Sequence, residues 1–173
     1  LNGLNRTSTN IDYHFCNNLN PIIVDTSVQA INYLNSYKLF NLSINFQQPV
    51  EPNIDNYNVI CSVPERFKYM TGYTTAWDKT ADVFVNTELI SYPNTLYNVV
   101  LHELIHSIGL NHTDVPSMMD YKVNMYYKDN TYTTLVYKND INRLWLSLDD
   151  IKGLRKIKNN INNYNTCKSL QYY

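Results

Sequence analysis

The sequence predicts an α+β fold: a sheet of about five short strands and three helices, one N-terminal, one central and one C-terminal. Three observations lead there. Short stretches rich in β-branched and aromatic residues, bounded by Pro, Gly and Asn, recur between Ile11 and Asn86. Between the first and second of these, the segment from Asp25 to about Leu39 repeats its apolar residues at helical spacing instead. After Pro93 the period turns helical again, and it does so once more after Ser147.

Taken in order, Ile11–Cys16 alternates as a strand does, and Asn20-Pro21 marks a turn. Asp25 is placed to cap a helix running to about Leu39, with Val28, Ile31 and Leu34 on one stripe. Leu42–Phe46 is the second strand, followed by a loop punctuated by Pro49 and Pro52. Asn58–Val63 is the third, ended by Pro64. Gly72–Trp77 reads as a short fourth strand and Asp82–Asn86 as a fifth. Pro93-Asn94-Thr95 is a helix start, and Leu96, Val99, Val100, Leu104 and Ile108 form the buried stripe that follows. Ser147-x-x-Asp150 opens the last helix with a capping pattern, and Ile151, Leu154 and Ile157 mark its buried side. The polar tail from Asn159 to Tyr173 has no assignment from the sequence.

A chain of 173 residues with 44% hydrophobic content can bury a core of its own, and residues 1–173 read as a single domain without repeats. The formal net charge of −1 leaves no basic field, which argues against nucleic acid as a partner. No apolar run is long enough to span a bilayer. The start without Met reads as a trimmed or processed piece. Cys16, Cys61 and Cys167 allow one disulfide with a free thiol, or three buried thiols. Asn5-Arg6-Thr7, Asn41-Leu42-Ser43 and Asn111-His112-Thr113 fit the glycosylation acceptor pattern, which an Asn-rich chain meets often by chance.

The chemistry is concentrated in His102-Glu103-Leu104-Ile105-His106-Ser107-Ile108-Gly109-Leu110-Asn111-His112. Two His at i and i+4 lie one helical turn apart on one face, so both imidazoles can reach one metal ion. Glu103 projects beside that ion and not onto it, where a general base for a bound water stands. Gly109 can take φ > 0 and end the helix, so the chain turns back and His112 closes the site. Three His leave a corner of the tetrahedron for water, the catalytic and not the structural pattern. H-E-x-x-H alone arises by chance in about one chain in fifty of this length, but with Gly109 and His112 in roughly one in ten thousand or less. Ser117-Met118-Met119-Asp120-Tyr121 adds a Met-containing turn.

With these residues the chain resembles the metzincin zinc endopeptidases. The short step from His112 to Met119 is most similar to the matrixin branch, the matrix-metalloproteinase-like catalytic domains. Leu146-Ser147-Leu148-Asp149-Asp150-Ile151-Lys152-Gly153-Leu154 is similar to the opening of the matrixin C-terminal helix. Motifs cover Ala81 to Ile157; upstream only the order of elements matches. The resemblance implies a zincin-like fold with a mixed, twisted sheet, an upper subdomain over about 1–109 and a lower one over 110–173. It implies one catalytic Zn²⁺ on His102, His106 and His112, with zinc-bound water activated by Glu103. Met119 would form the floor beneath the metal.

Other roles follow from the same resemblance. Asp82, Val83, Phe84, Val85 and Asn86 would form the sheet edge along the cleft and pair with an extended substrate. Asp149 would brace the Met-turn. The segment from Lys122 to Asn142 would wall the pocket for the residue after the scissile bond. Tyr121 stands where matrixins carry Pro; in astacins and serralysins a Tyr there approaches the zinc, which makes Tyr121 a candidate donor to the oxyanion. Only His14 remains outside the motif, so a second, three-His structural zinc site cannot form, and the missing Gly- and Asp-rich loops argue against bound calcium. The expected protein is a secreted or extracellular monomer acting on protein or peptide substrates. The rival class is a binding module that keeps zinc and engages a protein partner without cleaving it.

Overall fold

The computed structural model describes residues 3–53, 56–90, 92–115, 117–119 and 142–170. In chain order they form β1 (Asn10–Phe15), α1 (Pro21–Ser36), β2 (Asn41–Asn45), β3 (Asn58–Ser62), a 3-10 turn (Glu65–Phe67), β4 (Gly72–Trp77), β5 (Thr80–Val85), α2 (Pro93–Ile108) and α3 (Leu148–Leu170). The α+β class and the five strands agree with the sequence reading. The sheet is mixed, in the order β2-β1-β3-β5-β4. β2, β1, β3 and β5 run parallel, and β4 returns antiparallel to β5 across the short turn at Asp78-Lys79.

Two helix boundaries differ from expectation. α1 begins at Pro21, four residues before Asp25, because Asn20 caps it by accepting the Ile22 N–H at 3.1 Å, and Pro is suited to the first turn. Ile23, Ala30, Ile31 and Leu34 are its buried apolar residues. α3 continues through most of the unassigned tail to Leu170. Buried Leu154 and Ile161, with Ile157 packed beside them, fasten its first half to the core. Farther along, Asn165 donates to the Thr7 carbonyl at 3.1 Å.

Strand alternation sorts the sheet's two faces. Ile11, Tyr13, Phe15, Leu42, Ile60, Val83 and Val85 join the main core with the helices. Val59, Cys61 and Phe84, one residue out of step, join a smaller cluster with Val50, Tyr57 and Tyr73. α2 is buried along its length, every residue from Thr95 to Ile108. A helix buried all round must have its terminal carbonyls satisfied from outside. Arg6 supplies this at the C-terminal end, donating through Nε and Nη2 to the Ser107 carbonyl and through Nη1 to the Lys79 carbonyl. The Ser107 hydroxyl bonds the phenol of Tyr13 at 2.6 Å. No helix among the described residues is long and apolar enough to cross a membrane.

Cys16, at the end of β1, is disulfide-bonded to Cys61 on β3, and Cys167 is an exposed free thiol. The bridge spans 45 residues of sequence, so it removes considerable freedom from the unfolded chain. Replacing both Cys16 and Cys61 by Ala is expected to lower unfolding free energy by about 2–4 kcal/mol. Urea denaturation of the variant beside the oxidised wild type measures this.

Candidate metal centre

α2 places His102 and His106 one turn apart, and Gly109 ends the helix with φ 127°. That backbone conformation is one L side chains rarely adopt. Its N–H and that of Leu110 both return to the Ile105 carbonyl, reversing the chain so that His112 comes back over the helix. Nε2 of His112 lies 3.1 Å from Nε2 of His102 and 3.0 Å from Nε2 of His106. His102 and His106 are buried, and His112 stands at the surface.

The far side of each buried ring fixes its tautomer. Nδ1 of His102 is 2.7 Å from the Met118 carbonyl, and Nδ1 of His106 is 2.7 Å from the Leu110 carbonyl. A carbonyl only accepts, so both Nδ1 atoms carry the proton and both Nε2 atoms present a bare lone pair. Burial holds both rings neutral: the pKa of His102 falls to about 4, helped by His112, and that of His106 to about 3, helped by His102. Two lone pairs thus converge on a third imidazole nitrogen at close range. One proton on His112 could satisfy one of them, whereas a cation satisfies all three. With Zn–N near 2.0–2.1 Å, tetrahedral ligands sit roughly 3.3 Å apart, so the donor set fits zinc.

Glu103 is 2% exposed. Burial raises its carboxyl pKa to about 8, against the opposing hydrogen bond from Thr74. Thr74 Oγ1 donates to Glu103 Oε2 at 2.6 Å and lies 3.1 Å from the Glu103 carbonyl oxygen. Thr74 lay in the expected fourth strand with no role assigned to it. Its only signal was position, two residues after Gly72 and therefore on the same strand face.

Met118 and Met119 are both buried. Their amides are held by Asp150: Oδ2 accepts from Met118 at 3.0 Å and Oδ1 from Met119 at 3.3 Å. Asp150 also accepts the Ser147 N–H at 2.8 Å while its own N–H reaches the Ser147 hydroxyl at 3.2 Å, a reciprocal helix cap. The bracing role expected of Asp149 therefore falls to Asp150, because the third residue of the helix turns inward and its predecessor faces solvent. The Ser-x-x-Asp spacing carried that signal. Asp149 is exposed.

The expected sheet edge also lies elsewhere. Asp82, Val83, Phe84, Val85 and Asn86 were expected to form it, but β5 is paired on both sides, with β3 and β4. All five side chains are buried. Val83 and Val85 face the helices, Phe84 the opposite cluster. Asp82 Oδ2 instead accepts from Trp77 Nε1 at 2.8 Å and from the Asn53 amide at 2.7 Å. Asn86, just past the end of β5, donates through Nδ2 to the Lys68 and Met70 carbonyls. The edge strand beside α2 is β4. Tyr121 and the segment up to 141 lie outside the described residues.

No protein-family model matches the chain, and no curated protein matches it in sequence. Among solved structures it is similar to an archaemetzincin of Methanopyrus kandleri, at 10% identity and TM-score 0.48, covering 87% of this chain and 96% of that one. It is similar also to a zinc-dependent peptidase of Methanocorpusculum labreanum, at 12% identity and TM-score 0.48, covering 83% and 99%. At that similarity the site rests on its own geometry.

Asp150→Ala strands several buried amides and is expected to cost at least about 3 kcal/mol. Asp149→Ala is expected to cost under about 1 kcal/mol, the loss of a favourable helix-dipole contact. Unfolding of the metal-free proteins in urea separates the two.

Proposed function

We propose that this chain is a zinc-dependent endopeptidase that cuts extended protein segments. The observation that carries the proposal is the meeting of three imidazole Nε2 atoms, with the buried Glu103 next in sequence to one of the ligands. His102, His106 and His112 would hold the ion. Zinc there supplies Lewis acidity, bringing the pKa of water toward ~7 and polarising the substrate carbonyl. Glu103 takes the proton from the attacking water and delivers it to the leaving amine. A carboxyl raised by burial is suited to both directions of that transfer, and a nearby cation brings it back toward the ionised form.

Substrate binding follows from strand order. β4 ends the sheet beside Glu103, and a terminal strand offers backbone groups to an extended peptide. We place the substrate along β4, antiparallel to it. The spacing from His112 to Met119 and the opening of α3 favour a matrixin-like subtype. Tyr121 is proposed as an added donor to the developing oxyanion. The Cys16–Cys61 disulfide suits an oxidising compartment and supports a secreted protein.

Glu103→Gln is expected to retain zinc while kcat falls by about 10²–10⁴-fold. A chelator should abolish cleavage of a peptide library, and added zinc should restore it, both read by mass spectrometry. Zinc retention with no cleavage by the wild type would instead identify a binding module. Cleavage by Glu103→Gln at the wild-type rate would remove Glu103 as the base.

A further inference from the structure

The inner face of β4 lies close against Glu103. Gly72 and Thr74, two residues apart, both face α2. A Cβ at Gly72 would lie 3.0 Å from Val99 Cγ1, 3.1 Å from Glu103 Cγ and 3.0 Å from the Phe84 carbonyl oxygen. Glycine therefore lets the strand lie against the helix at the level of the Glu103 side chain. One strand period later, the Thr74 hydroxyl meets Glu103 Oε2 at 2.6 Å.

We propose that Thr74 is a positioning residue for the general base, fixing the Glu103 carboxylate toward the metal and the attacking water. The proposal rests on the peptidase reading above and adds to it a residue outside the metal motif. A glutamate side chain has a broad terminal torsion, so burial alone leaves its carboxylate plane loosely set. Threonine is stiff at χ1, and β4 is held along its length by β5, so the hydroxyl is a fixed point. The hydroxyl also reaches the Glu103 carbonyl oxygen, at 3.1 Å. It can therefore turn between two acceptors on one residue. When the carboxyl holds the transferred proton on Oε1, Oε2 is its carbonyl oxygen and still accepts from Oγ1–H. The contact persists through the proton's round trip.

The test uses the zinc-loaded full chain and two variants. Thr74→Val removes the hydroxyl at nearly constant shape; Thr74→Ser keeps it and loses the methyl. Supporting groups behind a metal site are typically worth 10–100-fold. Thr74→Val is expected to lose about 10–100-fold in kcat with KM and zinc content within about twofold. Thr74→Ser is expected to recover kcat to within about fivefold of wild type. Crystal structures of wild type and Thr74→Val should show the Glu103 carboxylate displaced in the variant. Wild-type kcat in Thr74→Val would overturn the proposal. So would a Thr74→Ser variant as impaired as Thr74→Val, since the methyl would then be what matters. If the wild type cleaves no peptide, the peptidase reading fails by itself. An unmoved carboxylate in Thr74→Val then overturns positioning, and a displaced one supports it.

Discussion

Two bare imidazole lone pairs, held buried and neutral against a third ring, are the constraint around which this structure is built. Nitrogen lone pairs at 3.0–3.1 Å repel unless a proton or cation lies between them. The protein holds them there by fixing the opposite nitrogen of each buried ring. The carbonyls that do so, from Met118 and Leu110, lie outside α2, so the chain beyond the helix sets the chemistry on it. Leu110 is placed by the reversal at Gly109. Met118 is placed from α3, through the carboxylate of Asp150 more than thirty residues downstream. A break at either carbonyl would free a ring to rotate or change tautomer, and the convergence would be lost.

The rest of the scaffold keeps α2 still. Its flanks press on the sheet and on α1, its C-terminal carbonyl is tied to Arg6, and Ser107 is pinned by Tyr13. A helix surrounded in this way cannot shift without opening the core, because interiors pack to crystal-like density. Rigidity matters here because three imidazoles serve one metal ion only while their spacing holds to a fraction of an ångström. The same burial that immobilises the rings depresses their basicity, so they stay available as ligands well below neutral pH.

Sheet order decides which strand meets the Glu103 carboxylate. β4 folds back antiparallel after the long parallel run and becomes the border nearest Glu103. β5, enclosed by neighbours on both sides, serves as the wall behind it. Its Val83-Phe84-Val85 run is the composition of a strand buried on both faces, while Gly72-Tyr73-Thr74-Thr75 is more polar, as an edge strand tends to be. That contrast was present in the letters. Family likeness pointed the other way, to the strand closest in sequence to the helix.

By itself the sequence determined the strands, the central helix, the three histidines with Glu103, and the glycine turn that returns His112. These are local patterns: alternation, helical period, a four-residue step on one face and a backbone conformation that glycine accepts readily. The sequence also held the Ser147-x-x-Asp150 cap, which names Asp150 as the inward residue, yet not what that carboxylate would touch. Only the tertiary structure decided that Asp150 braces the Met118-Met119 turn, that Cys16 pairs with Cys61, that β4 and not β5 ends the sheet beside α2, and that Thr74 meets Glu103. Three of these, the Asp150 brace, the disulfide and the Thr74 contact, join groups 29 to 45 residues apart, whose meeting depends on strand order and helix packing. Pattern along the chain encodes which face a residue presents; it does not encode which neighbour the fold will set against that face.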